Sequence, residues 1–126
     1  MIKKANKAIA ECKGFYSKKA ENEVRTDIVI AQYKLGDTKA SLKSAEQCIN
    51  VYYLSPVCHY WLAVNYRDLG NAKKYESAKQ RAYEVANLVI EQSNDSLKSQ
   101  VSELTRIGLD TDIKVSKAVI RNLNDL

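Results

Sequence analysis

The chain is expected to be all-α and to form a single domain, on three observations. Apolar residues recur at steps of three and four through nearly all of its 126 residues, the spacing that gathers side chains on one face of a helix. One Pro and four Gly leave it few of the breakers that punctuate strand-rich chains. Gly36-Asp37 and Gly70-Asn71 each close an apolar-periodic segment and stand 34 residues apart, the period of a helix-turn-helix repeat. A chain of this length can bury a core that needs neither disulfide nor metal.

Taken in order, residues 2–20 place Ile2, Ala5, Ile9, Cys12 and Tyr16 on one stripe, with lysines beside or opposite it. This reads as a basic amphipathic helix over residues 1–21, either a cap on the repeats or an attachment to anionic lipid or an acidic partner. Residues 22–55 form the first repeat unit. Val24, Ile28, Ala31 and Leu35 are its first stripe, Gly36 its helix stop, Asp37 or Thr38 its next cap, and Leu42, Ala45, Ile49 and Tyr52 its second stripe. Ser55-Pro56 restarts the chain, with Pro suited to a first helical turn.

The second unit covers residues 56–93. After Gly70-Asn71, Tyr75, Ala78, Ala82, Val85, Ala86 and Val89 line a long helix, which Ser93-Asn94-Asp95 is expected to interrupt. Residues 94–126 then read as two further helices. Leu97, Val101, Leu104 and Ile107 serve the first, closed by Gly108; Ile113, Val115, Val119, Ile120 and Leu123 serve the second, behind an Asp110-Thr111-Asp112 cap. Two units alone bury little surface, so the flanking helices are expected to close them.

In the second unit His59, Leu62, Ala63 and Tyr66, followed by Gly70-Asn71 and by Ala78 and Ala82, resemble the tetratricopeptide repeat. Tyr75 stands where that family prefers Ala. The first unit keeps Ile28, Gly36-Asp37, Ser41, Ala45 and Cys48 but has Arg25 and Gln32 at the large and aromatic positions. The resemblance covers about residues 22 to 90 and implies a short α-solenoid of antiparallel helix pairs with a concave groove. Glu23, Thr26, Asp27, Ile30, Tyr33 and Lys34 would line that groove from the first unit, and Val57, Tyr60, Trp61, Val64, Arg67 and Asp68 from the second. Thr26 and Ile30 stand where the subgroup that clamps a C-terminal carboxylate carries Lys and Asn, so recognition of that kind is not expected. In this family Cys48 and Cys58 lie on faces that pack together, so they are candidates for a disulfide; the alternative is two buried free thiols. Cys12 falls on an apolar stripe and reads as core.

Catalytic and metal chemistry find little footing. Cys58 and His59 are adjacent and point about 100° apart on a helix, with no further histidine to complete a tetrahedron, and the same divergence defeats a Cys-His nucleophile pair. His59 therefore reads as a packing residue. Scattered glycines form no phosphate loop, so no metal, no cofactor and no enzyme activity are expected.

The net charge of +5 resides in residues 1–20, where six lysines face Glu11 alone, leaving the remainder neutral. A basic face on the repeats is thus missing, which argues against a nucleic-acid partner. The expected partner is a peptide or helix of another protein held in the groove. The alternative is a structural subunit, or an envelope-associated assembly factor, using the basic first helix. Membrane surface enters only through residues 1–20, and self-association is left open. No apolar run is long enough for a membrane span. If Met1 is the native start the expectation is a cytoplasmic protein; if it was added to a mature chain, an exported or periplasmic one.

Overall fold

The computed structural model describes residues 18–126. Among them are five helices and no strand: α1 Lys18–Lys34, α2 Thr38–Val51, α3 Pro56–Asp68, α4 Ala72–Leu97 and α5 Glu103–Asn124. None is long and apolar enough to cross a membrane. The basic helix expected over residues 1–21 lies outside the described residues except for Lys18–Glu21, which open α1 without a break before Asn22.

The two glycine turns are built alike. Gly36 has φ 83° and Gly70 φ 76°, the left-handed conformation in which a helix end returns its last carbonyls to backbone donors. Asp37 N donates to Gln32 O and Gly36 N to Tyr33 O; Asn71 N donates to Tyr66 O and Gly70 N to Arg67 O, all at 3.0 Å. The following residue then caps the next helix. Asp37 Oδ1 accepts from Ala40 N at 3.1 Å and Asn71 Oδ1 from Lys74 N at 3.2 Å. Ser55 caps α3 with Pro56 in its first turn, and Ser102 caps α5.

Each helix packs on the next, and α3 additionally meets α1 and α5, so α3 touches all four others. Helices α1, α3 and α5 therefore lie side by side, with α2 and α4 covering them from behind. Small side chains make the close approaches. Ala45, Ala63, Ala82 and Ala86 are fully buried, and Ala82 and Ala86 pack with Val119 and Leu123 of α5 beneath Val57, Tyr60 and Tyr83. Where α1, α2 and α3 converge, the buried Ser41 hydroxyl donates to Val29 O and accepts from Asn65 Nδ2, both at 2.9 Å.

Two expectations about the second half fail. Ser93-Asn94-Asp95 does not interrupt α4, which continues to Leu97 with Ser93 only 5% exposed; packing of that turn overrides the weak helix preference of Ser, Asn and Asp. Likewise, beyond the end of α4 there is one helix, Glu103–Asn124, rather than two. Gly108 lies inside α5, and Thr111 donates its hydroxyl to Ile107 O within the helix instead of capping a new one. Leu35, assigned to the first apolar stripe, sits in the turn and is 76% exposed, while Leu104 and Ile107 face solvent on α5.

A Cβ at Gly36 or Gly70 would meet nothing within 4 Å, so substitution there isolates the backbone cost. Gly36→Ala and Gly70→Ala should each lower stability by about 1–2 kcal/mol, and by equal amounts if the turns are equivalent. Urea denaturation of the two variants checks this, and a loss at one site alone would contradict it.

Candidate binding groove

Helix α3 is the floor of a groove whose walls are α1 and α5. Helices α1 and α3 run in the same direction, since Asn22 and Thr26 face Cys58 near one end while Tyr33 reaches Asp68 near the other. At this second end the aromatic residues gather. The Trp61 ring centroid lies 5.0 Å from that of Tyr33 and 5.4 Å from that of Tyr60, the latter edge-on. Such tilted pairs are worth about 0.5–1.5 kcal/mol each beyond the area they bury.

The polar groups at this end are engaged with one another. Tyr33 OH donates to Asp68 Oδ2 at 2.5 Å, and Arg67 Nη2 lies 3.2 Å from Asp68 Oδ1. The hydrogen bond to Asp68, then burial, raises the Tyr33 pKa, keeping the phenol a donor. Tyr60 is also raised, by burial against α5.

The residues expected to line the groove thus divide. Tyr33, Trp61, Arg67 and Asp68 come together, with Tyr60 half-buried under α5. Ile30 is half-buried, and Lys34 and Asp27 are exposed. Val64 does not line the groove: it is 3% exposed, because α3 is covered on more than its rear face and this position is taken into the core.

At the other end the groove deepens into a cavity of about 590 Å³. Asn22, Glu23, Thr26 and Asp27 of α1 form one wall, Pro56 and Val57 its floor, Val89 and Gln92 of α4 its rear, and Leu109, Asp112, Val115 and Ser116 of α5 the opposite wall. Lys19 Nζ and Asp112 Oδ2, 2.8 Å apart, link the two walls across it. The part played by α4 and α5 was not visible in the residue pattern, which shows which face of a helix is apolar but not what that face lies against.

Behind this cavity Cys48 and Cys58 form a disulfide, with Cα atoms 6.2 Å apart and both side chains fully buried. It ties the end of α2 to the start of α3. Asn22 Nδ2 lies 2.8 Å from Cys48 Sγ, and Thr26 Oγ1 lies 3.2 Å from Cys58 Sγ, so α1 is seated against the bridge by two polar side chains: Asn22, which the sequence pattern did not single out, and Thr26, expected only as a groove residue. Their signal was available only in hindsight: each is polar where the neighbouring stripe is apolar.

His59 stands apart from the groove, in a shallow hollow between α2, α3 and α4 with Tyr53, Leu62 and Arg81. Its Nε2–H donates to Tyr53 O at 2.8 Å, and its ring meets the Tyr53 ring edge-on at 5.0 Å. Nδ1 is buried without a partner. No cluster of metal-ligating side chains occurs among the described residues.

The chain matches no protein-family model, no curated protein and no solved structure.

Two measurements follow. Thiol titration of the denatured, unreduced protein should find one reactive thiol, Cys12, and three after reduction. Reduction should lower stability by about 2–3 kcal/mol, the chain-entropy value for so short a loop. The second concerns pH. Burial lowers the His59 pKa below its usual 6.5, with Arg81 adding to the effect and the Tyr53 carbonyl opposing it. The folded ring is therefore neutral while the unfolded ring takes up a proton, so stability held above about pH 6.5 falls as pH drops below it, by at most about 1.4 kcal/mol per unit. The single imidazole resonance should titrate below 6.5, and His59→Gln, which keeps a donor for Tyr53, should flatten the stability profile between pH 7 and 5.

Proposed function

We propose that this chain is a helical-repeat interaction module of the tetratricopeptide type, which holds a peptide segment or helix of another protein in the groove over α3. Two turns of like geometry 34 residues apart support the repeat reading, as does the order in which α1, α3 and α5 lie side by side with α2 and α4 behind. The observation that carries the functional reading is the aromatic end of the groove. Trp61 remains partly exposed there although Tyr33 and Tyr60 flank it, and partly exposed Trp and Tyr beside an Arg are the side chains that dominate binding energy at protein interfaces.

The groove is also braced for that role. Tyr33 and Arg67 are held by Asp68, so the surface around Trp61 is ordered before any partner arrives, and little ordering entropy is left to lose on binding. The bridge between Cys48 and Cys58 fixes the floor at the other end. A disulfide of this kind persists where the surroundings are oxidising, which favours an exported protein.

Peptides selected from a random library on the immobilised protein provide the test. Trp61→Ala should weaken their binding by about 2 kcal/mol, roughly thirtyfold, while lowering stability by about 1–3 kcal/mol through the lost ring contacts. Peptides that bind equally well to the variant, with its circular dichroism unchanged, would place the binding surface elsewhere.

A further inference from the structure

The cavity end of the groove carries features that the aromatic end does not use. Glu23 and Asp27, one helical turn apart on α1, line it and make no hydrogen bond or ion pair with any described residue. Ser116 lines it from α5, is 1% exposed, and has a hydroxyl without a partner among the described residues. An apolar stripe leads away from it. Leu104, Ile107 and Val115 are 82%, 55% and 39% exposed and, with Thr111, follow one another at steps of three and four on α5, so they share one face. Thr111 and Val115 also line the cavity, so the stripe runs out of it toward the start of the helix, over about 16 Å. An occupant of that length is a chain segment rather than a small molecule.

We propose that this end of the groove receives a basic amphipathic segment of the partner protein, its Lys or Arg side chains on Glu23 and Asp27 and its apolar face on Val115, Ile107 and Leu104. The inference rests on the reading of the groove as a peptide site and names the chemistry of the peptide. Carboxylates in a partly enclosed cleft that no described cation neutralises attract cations and disfavour an acidic segment. Lys19 is the internal competitor. Its ion pair with Asp112 joins side chains 50% and 29% exposed and is weak for that reason, so an incoming cation can displace it and gain Asp112 as a third acceptor.

The full chain is titrated at low ionic strength with a fluorescent amphipathic helical peptide of leucine and lysine, and with a counterpart carrying glutamate at every lysine. The lysine peptide should bind at least about tenfold more tightly than the glutamate peptide. The double variant Glu23→Gln/Asp27→Asn should weaken it about tenfold, Ile107→Ser should weaken it as well, and Lys19→Ala should strengthen it, whereas Glu84→Gln on the outer face of α4 should leave it unchanged. A gain from Lys19→Ala cannot come from unfolding, which keeps the test informative if another variant folds poorly. Equal affinity for the two peptides, or an affinity indifferent to both the Glu23/Asp27 and the Lys19 changes, would overturn the proposal. If library peptides still require Trp61 while the lysine peptide fails to bind, this inference falls and the groove stands; if both fail, the groove reading falls with it.

Discussion

The architecture depends on α3 being enclosed by all four other helices. A helix so surrounded has little room for polar surface, and α3 is accordingly apolar or small on most sides, from Pro56 and Cys58 to Ala63 and Val64. The polar side chains that do enter are each tied to a neighbour through at least one atom, although His59 Nδ1 and Asn65 Oδ1 are buried without partners among the described residues. Asn65 gives its amide to Ser41, whose hydroxyl in turn reaches the Val29 carbonyl, so one short relay fixes α1, α2 and α3 against each other. The disulfide and its polar neighbours Asn22 and Thr26 do the same at the opposite end of α3. With both ends held, the position of α1 against α3 is set, while α5 is placed by its packing on α4 and α3 through Val119 and Leu123.

The first three helices were readable because local and tertiary signals agree there. Gly36 and Gly70 stop helices, Asp37, Ser55 and Asn71 start them, and the apolar stripes face neighbours except at Leu35. The second half was misread because they disagree. Ser93, Asn94, Asp95 and Gly108 are poor helix formers by intrinsic preference, yet α4 and α5 run through them, the lateral packing of two long helices outweighing a local cost of about 0.5 kcal/mol at each polar residue and about 1 kcal/mol at the glycine. Periodicity likewise placed Leu104 and Ile107 on one face of a helix but carried no information about what covers that face. For the cysteines, spacing allowed both a bridge and two free thiols; only the approach of the end of α2 to the start of α3 decides it.

Electrostatically the groove has two unlike ends. At the aromatic end Asp68 is answered by Tyr33 and Arg67, so specificity there rests mainly on shape and ring contact. At the cavity end the α1 wall presents Glu23 and Asp27, with no ion pair to any described residue, and the α5 wall an exposed apolar stripe. The all-helical fold was legible in the spacing of apolar residues, whereas this asymmetry arises from α4 and α5 each running unbroken through residues that favour a break.

Trp61 is the only tryptophan of the chain, which also carries eight tyrosines, and it stands at the groove with Tyr33 and Tyr60 against it. Excited at wavelengths that only indole absorbs, the protein therefore emits from one point, on the face of α3 beside Tyr33 and Tyr60. The molecule thereby carries a built-in optical probe of that surface, sensitive to polarity and quenching at a single known position, and no label needs to be introduced to follow what enters.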